Sequence, residues 1–376
     1  MRTTSGGSCG PFQPDPAGAG GYMMMKASIE AQPTLMILVY ALAALSAQAE
    51  VRGRTSDRPP RKVIVGTAVL RLSGPYPGLE KRLAQLAEAV DRMAEAARTK
   101  YGRGLDLAVL PEAAVTAGSG RNVASGPIPF DGSVKDVFAR KARERQCYIV
   151  VPMSLLGDAK KNIYFNAAIL LGREGQVVGI YRKVHSAVEN GSESLEDGAT
   201  PGREEPVFQC DFGKVGIQIC FDMEYDYGWR ELARKGADLV VWPTASPQTA
   251  HPAFRAMQHR YYIISSPHRD NASIFEPTGK ITAQVRPPER VLVQELDLSY
   301  AILPWSSQLQ QGEALKKKYG EKVGFRYYNE EDCGIFWSND PNLTIGRMVR
   351  TEGLAEAEDE LSRIGKLYRK AGLRAY

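Results

Sequence analysis

Three residues able to work on a carbonyl carbon stand where apolar runs of this chain stop. Glu112 follows Leu110-Pro111 after the run LDLAVL at 105–110, and Lys183 follows Tyr181-Arg182 after GQVVGIY at 175–181. Cys220 closes GKVGIQIC at 213–220, with Phe221-Asp222-Met223-Glu224 behind it. A thiolate is a strong nucleophile, a carboxylate beside it can take the thiol proton, and an ammonium can meet an oxyanion. Brought together, the three could form and break an acyl–sulfur bond. Each also has a plain structural reading. A cysteine ending an apolar strand is commonly a small buried hydrophobe, a glutamate after proline suits a helix N-terminus, and an Arg-Lys pair suits solvent. Their value as a set rests on the elements that would position them.

Those elements alternate. KVIVGTAV at 62–69 is apolar and β-branched, which predicts a strand buried on both faces. Leu79, Leu83, Leu86, Val90, Met93 and Ala97 are spaced by threes and fours, an amphipathic helix over 79–99. Strands are predicted at 105–110 and 147–152 with a helix at 133–145 between them, then a hairpin of 164–171 with 175–181 turning at Gly172-Arg173-Glu174-Gly175. Strands at 214–220, 238–242 and 262–265 alternate with helices at 229–235 and 252–260, and 281–296 reads mostly as strand. This pattern predicts an α/β domain over 61–300, and α/β sheets place their sites at strand ends. No repeat of fixed period is visible.

The ordered motifs LPE, YRKVH and GIQICFD resemble the nitrilase superfamily of carbon–nitrogen hydrolases, over about 62–298. Asn166–Gly172, Val241-Trp242-Pro243-Thr244 and the late hairpin around Ile274–Gly279 are similar to that family's scaffolding. The resemblance implies a four-layer α-β-β-α sandwich with a Glu-Lys-Cys catalytic set, here Glu112, Lys183 and Cys220. It implies that Glu112 takes the Cys220 proton and later gives one to the departing amine. Lys183 and the backbone N–H of Phe221 would hold the oxyanion, and the acyl group would pass through a thioester on Cys220. No metal or organic cofactor enters this scheme. The family often carries a second acid between the Lys and Cys motifs. Its usual spacing falls on Leu195 here, so Glu196 is the expected residue and Glu193 the reserve. His185 is expected to orient the Lys183 loop through a backbone hydrogen bond, and Trp242 and Thr244 to line the substrate pocket.

Branches of the family cut nitriles, amides or N-carbamoyl compounds, and some transfer acyl groups. Phe221-Asp222 is closer to the Tyr-Asp of amidases and carbamoylases than to the Trp-Glu of nitrile hydrolases. Relatives tend to carry Arg where this chain has Glu224, and the acid disfavours an anionic substrate tail by repulsion. Gln258-His259 and Ser265-Ser266 also depart from the family pattern. Amide hydrolysis of a small molecule is the reading that fits best, with nitrile or N-carbamoyl hydrolysis, acyl transfer and a catalytically silent binding protein as the alternatives. No Gly-x-Ser-x-Gly elbow supports a serine hydrolase.

Composition narrows the class further. The 48 basic and 43 acidic residues leave +5 without a clustered basic block, so a nucleic-acid footprint is not indicated. The five cysteines among 376 residues are too sparse for a disulfide-stapled scaffold. His251, His259 and His268 lack metal-ligand spacing. Cys147 and Cys210 read as buried strand-end residues, and Cys333 could pair only in an exported chain. Asn190, Asn271 and Asn342 open glycosylation sequons, short enough to recur by chance.

The ends read differently from the middle. Residues 1–60 are taken as leader and linker: Lys26, the apolar run LMILVYALAAL at 35–45 and Ala47-Gln48-Ala49 match a secretory signal with its cleavage site. The run is too short to span a bilayer, which needs about 20 residues. The expectation is a secreted or periplasmic enzyme free of the membrane after cleavage, or a cytoplasmic one if the leader is not used. Residues 301–376 form a C-terminal extension ending in a predicted helix over 353–373, packed on its own domain or on a partner in a homodimer or larger homo-oligomer. N-terminal sequencing of protein from its native cell is expected to begin at Glu50, and a native chain retaining 1–49 contradicts export.

Overall fold

The strand at Lys62–Ala68 (β1) sends alternate side chains into two different cores. Ile64 and Ala68 face one, Val63 and Val65 the other, and none is exposed. The period-2 geometry of a strand makes this unavoidable when both faces are covered. The same alternation runs through Leu107–Val109 (β2), Tyr148–Asp158 (β3) and Ile163–Leu171 (β4). The description is of a computed structural model and covers residues 55–374 except 73, 121–125, 189, 190 and 192. The leader, its apolar run and its Ala-Gln-Ala site lie outside the described residues.

β1 to β4 join Val177–Arg182 (β5) and the late strand Val291–Asp297 (β12) in a six-stranded sheet ordered β12-β1-β2-β3-β4-β5. The second sheet holds Val207–Gln209 (β6), Lys214–Ile217 (β7), Leu239–Thr244 (β8), Tyr262–Pro267 (β9), Ala272–Phe275 (β10) and Ile281–Val285 (β11). Its order, β6-β7-β8-β9-β10-β11, repeats the first sheet's pattern of one antiparallel, two parallel and two antiparallel pairings. The duplication is one of topology, so no sequence period betrays it.

Helices Leu79–Tyr101 (α1) and Gly132–Arg145 (α2) cover the first sheet through Leu83, Leu86, Val90, Met93 and Phe138. Asp226–Arg234 (α3) and Ala250–His259 (α4) cover the second through Trp229, Leu232 and Ala256. Between the sheets lies a core of Val65, Val109, Ile217, Val241 and Ile264. The layers are therefore α-β-β-α. Near the site polar bonds tie the sheets together. Thr67 Oγ1 donates to Ser265 O at 2.6 Å, and Ser266 Oγ lies 3.0 Å from both Ala68 O and Val109 O. Of the Ser265-Ser266 departure noted in the sequence, the Ser266 hydroxyl thus serves as a rivet between sheets, while Ser265 Oγ bonds Ser273 within its own sheet.

Two expectations are corrected at the ends. The polar stretch 51–60, read as a linker, is packed from Thr55 onward: Ser56 is buried, Thr55 Oγ1 donates to Tyr300 O, and Arg58 and Arg61 converge on the buried carboxylate of Asp238. Its charges made it look solvated, but they pair inside. The C-terminal extension, expected only to end in a helix, also carries most of a third sheet, ordered β13-β15-β14, of Tyr300–Pro304 (β13), Val323–Tyr328 (β14) and Cys333–Ser338 (β15). Arg326 anchors it, donating from Nε and Nη2 to Oε2 of the fully buried Glu276 at 3.0 and 2.6 Å. Helices Glu313–Tyr319 (α5), Ile345–Thr351 (α6) and Ala357–Lys370 (α7) complete the extension. The expected tail helix begins later than the sequence suggests. Ser56 Oγ donates to Glu356 just ahead of it, whereas Leu361, Leu367 and Tyr368 are exposed. No helix of the described residues is long and apolar enough to cross a membrane.

Candidate active site

Glu112, Lys183 and Cys220 meet although they follow three different strands. Glu112 comes after β2, Lys183 after β5 and Cys220 after β7. Lys183 Nζ donates to Glu112 Oε1 at 3.0 Å and to Glu196 Oε1 at 2.8 Å, with only 2% of its side chain exposed. Asn166 Nδ2 bridges the same two oxygens at 2.9 and 2.7 Å, and the Ala245 N–H donates to Glu112 Oε2 at 3.0 Å. Cys220 stands beside the Glu112 carboxylate, close enough for each to shift the other's proton affinity. Glu196, not Glu193, is the second acid: Glu193 is exposed, and Leu195, where the usual spacing falls, is 47% exposed. Glu196 sits in a single 3-10 turn, Leu195–Gly198, where it holds a left-handed φ of 40°. Behind it Gly202 donates its N–H to Lys183 O at 2.7 Å, and a side chain there would strike the Arg182 carbonyl.

Cys220 does not close its strand. β7 ends at Ile217, and Cys220 opens a 3-10 turn, Cys220–Glu224, with φ 42°. A left-handed conformation is strained for a side chain with a Cβ, and such strain is kept where the surroundings fix it. Here Asp222 and Trp242 do the fixing. Asp222 Oδ2 accepts from the Ile219 N–H and from Tyr181 Oη, both at 2.8 Å. Trp242 Nε1 donates to Cys220 O at 3.0 Å. The turn's first internal bond runs from Asp222 N–H to Ile219 O, so the N–H groups of Cys220 and Phe221 precede its bonded part.

Electrostatics follow from burial. Desolvation works to raise the Glu112 carboxyl, but the Lys183 charge and the hydrogen bonds of Lys183 and Asn166, with Cys220 beside them, outweigh it and hold Glu112 below its ordinary range. Burial would lower Lys183, yet Glu112 and Glu196 keep it raised and firmly cationic. Burial and the Glu112 charge push Glu196 up. Burial, and then the same Glu112 charge, push the Cys220 thiol up to about 12. The resting nucleophile is a thiol.

A cavity of about 470 Å³ opens over the three residues. Three expectations change against it. Trp242 and Thr244 are not among its lining residues: Trp242 is 1% exposed behind the nucleophile, and Thr244 has its side chain at the Cys220 sulfur. They support the nucleophile and leave the substrate to other walls. Glu224 does not line it either, and its Oε1 accepts from Gln248 Nε2 at 3.4 Å. His185 does orient the Lys183 loop with its backbone N–H, but the acceptor is the Asp222 carboxylate at 2.8 Å, and its ring stacks on Tyr225. Three contributors escaped the sequence. Asn166 falls in the stretch that resembles family scaffolding, though an amide inside an apolar strand is a signal. His268 lines the cavity and bonds Glu112 O through Nε2 at 2.7 Å. The Ala245 N–H is a backbone group, which no residue type encodes. Among the described residues no cluster of three or more His, Cys, Asp or Glu is placed to hold a metal ion.

A four-layer sandwich with these three side chains at its strand ends is the architecture of the nitrilase superfamily. The comparisons agree: a model of the carbon–nitrogen hydrolase family matches residues 67–303, and the chain belongs to that family. It is an amidase-like enzyme of that group. It is 26% identical to an omega-amidase of Saccharomyces cerevisiae over 259 residues, covering 62% of this chain and 87% of that protein. It is 28% identical to a deaminated glutathione amidase of Mus musculus over 257 residues, covering 60% and 75%. The crystal structure of the yeast protein Nit3 superposes with a TM-score of 0.54 at 21% identity, covering 63% of this chain and 90% of that one. An amidase from Nesterenkonia sp. AN1, crystallised with acrylamide added at its active-site cysteine, gives 0.52 at 17%, covering 62% and 93%.

A further buried acid, Glu205, stands near Asp222. Glu205 is 4% exposed, Gln218 Nε2 donates to its Oε2, and its Oε1 and Gln218 Oε1 have no hydrogen-bond partner among the described residues. Both oxygens crowd Gly228, where a Cβ would stand 2.7 and 2.8 Å from them. Burial, and next the Asp222 charge, raise the Glu205 carboxyl to about 7 from 4.5. A carboxyl raised by folding stabilises the fold fully below its unfolded value and loses that contribution as pH rises through its folded one. Glu205→Gln, whose amide can donate to Gln218 Oε1, is therefore expected to flatten the Tm–pH curve between 4.5 and about 7 relative to wild type. Parallel curves for the two proteins would contradict it.

Proposed function

We propose that the chain hydrolyses a linear, non-peptide carboxamide to its acid and ammonia or an amine through a thioester on Cys220. The observation that carries this reading is the convergence of Cys220 and Lys183 on one buried carboxylate, Glu112, at the wall of a single cavity. Because the thiol is pushed up to about 12, the thiolate is not stored; it forms as sulfur attacks and Glu112 takes the proton. Lys183 and the Phe221 N–H face the negative charge that develops on the carbonyl oxygen. Glu112 then returns the proton to the leaving nitrogen, the C–N bond breaks, and the acyl group stays on sulfur. Water, deprotonated by Glu112, releases the acid. Glu196 Oε2 and Asn166 Oδ1, buried acceptors without partners among the described residues, suit the N–H groups of a bound amide.

Nitriles, N-carbamoyl compounds or an external amine as acyl acceptor would use the same steps. Export through the N-terminal leader is part of the same proposal.

Cys220→Ala is expected to abolish ammonia release from a panel of primary amides. Glu112→Gln and Lys183→Arg should each lose at least ~10² in kcat, the scale of a positioned proton carrier or oxyanion donor. Residual rate in Glu112→Gln should climb with pH as free thiolate forms, whereas Lys183→Arg should keep the wild-type profile at a lower level. Wild-type activity in any of the three variants removes that residue from the mechanism.

A further inference from the structure

Glu205 and Gln218 lie side by side with one donor too few between them. Gln218 Nε2 gives one hydrogen to Glu205 Oε2 and the other to Ile217 O at 3.2 Å. Glu205 Oε1 and Gln218 Oε1 are left as acceptors without a partner among the described residues, converging on the same side of Gly228. Two bare oxygens buried together are costly. With a proton on Oε1, the Glu205 carboxyl donates to Gln218 Oε1, and acid and amide close a ring of two hydrogen bonds. On the reading that Cys220 is the nucleophile of a carboxamide hydrolase, we infer that Glu205, held as the neutral acid, is a positioning residue for the Cys220 turn, and that ionising it lowers turnover.

The acid–amide pair reaches the nucleophile by two routes. Gln218, fully buried, stands two residues before Cys220, and its N–H donates to Val241 O of β8 at 3.1 Å. Gly228, against which the pair packs, lies in α3 next to Trp229, whose Nε1 donates to Asp222 O at 2.9 Å. Asp222 in turn holds the Ile219 N–H. Five charged or titratable side chains face Glu205 among the described residues. They are Asp222 from the nucleophile turn, His185 from the Lys183 loop, Lys235 just after α3, Tyr181 of β5 and Tyr261 just before β9. Burial first and Asp222 second raise the Glu205 carboxyl to about 7, against the lowering pull of Gln218, His185 and Lys235. Ionised, Glu205 puts a second negative charge beside Asp222 and leaves both Oε1 atoms bare. The strand end that carries Gln218 then has reason to shift, and Cys220 shifts with it.

The test measures kcat against pH on the fastest primary amide of the panel, for wild type and for Glu205→Gln. The variant's amide can close the same ring with Gln218 and does not titrate. Wild-type kcat should fall about tenfold within roughly one pH unit above the Glu205 value, since only the protonated fraction holds the turn. Glu205→Gln, scaled to its own maximum, should stay level over that range. An equal fall in both proteins, or none in wild type, overturns the inference and leaves the hydrolase intact. The proton is read separately in the infrared, without turnover. Wild type minus Glu205→Gln should show a carboxylic-acid C=O band that fades as pH rises through about 7. A difference spectrum without that band also overturns the inference. If Glu205→Gln fails to fold, wild type alone decides: a carboxylic-acid band and kcat must fade with one midpoint, and separate midpoints overturn it. Ammonia from no amide, with wild type no better than Cys220→Ala, overturns the hydrolase reading itself.

Discussion

A buried ion pair, Lys183 with Glu112 at 3.0 Å, is the constraint on which the rest of the site depends. Two charges taken out of water recover their desolvation only when their remaining hydrogen-bonding capacity is also met. That requirement explains the neighbours. Asn166, Ala245 N–H and Glu196 each satisfy an atom of the pair, and each comes from a different part of the chain. Removing one partner of such a pair typically costs about 3–5 kcal/mol, because the other charge stays buried and alone. The pair therefore fixes where β2, β5 and the loop after β8 stand relative to one another.

The same pair governs the nucleophile. A Glu112 held ionised by Lys183 places negative charge beside Cys220, which with burial keeps the sulfur protonated. A protonated thiol is a poor target for oxidants and alkylating agents, since reactivity follows the thiolate. The site is quiet until a carbonyl carbon arrives to share the sulfur's developing charge. Asp222 couples the two halves mechanically. One carboxylate receives the His185 N–H from the Lys183 loop, the Ile219 N–H from the Cys220 turn and the Tyr181 hydroxyl from β5.

Much of this was legible in the sequence, for reasons that can be named. Alternation and β-branching in 62–69, and the three-four spacing from Leu79 to Ala97, report burial directly, and both elements form where expected. The three chemical residues could be read because each follows a strand closely within a motif. The cavity wall could not be. Trp242 and Thr244 sit beside the nucleophile along the chain's own logic, but strand alternation turns Trp242 toward the helix layer, where it packs with Trp229 and Phe275. Thr55 to Pro60 looked like linker because its polar atoms find partners some 180 to 245 residues away, at Asp238 and Tyr300. The third sheet was hidden by the long insertion between β13 and β14.

The most direct test is to catch the acyl-enzyme. A short pulse of p-nitrophenyl butyrate followed by acid quench and peptide mass spectrometry should find a butyryl group on the peptide containing Cys220. Neutral hydroxylamine should remove it, as expected for a thioester, and Cys220→Ala should show none. Hydrolysis of the ester at a wild-type rate with no adduct on Cys220, or with a hydroxylamine-labile adduct on another residue, would contradict the account.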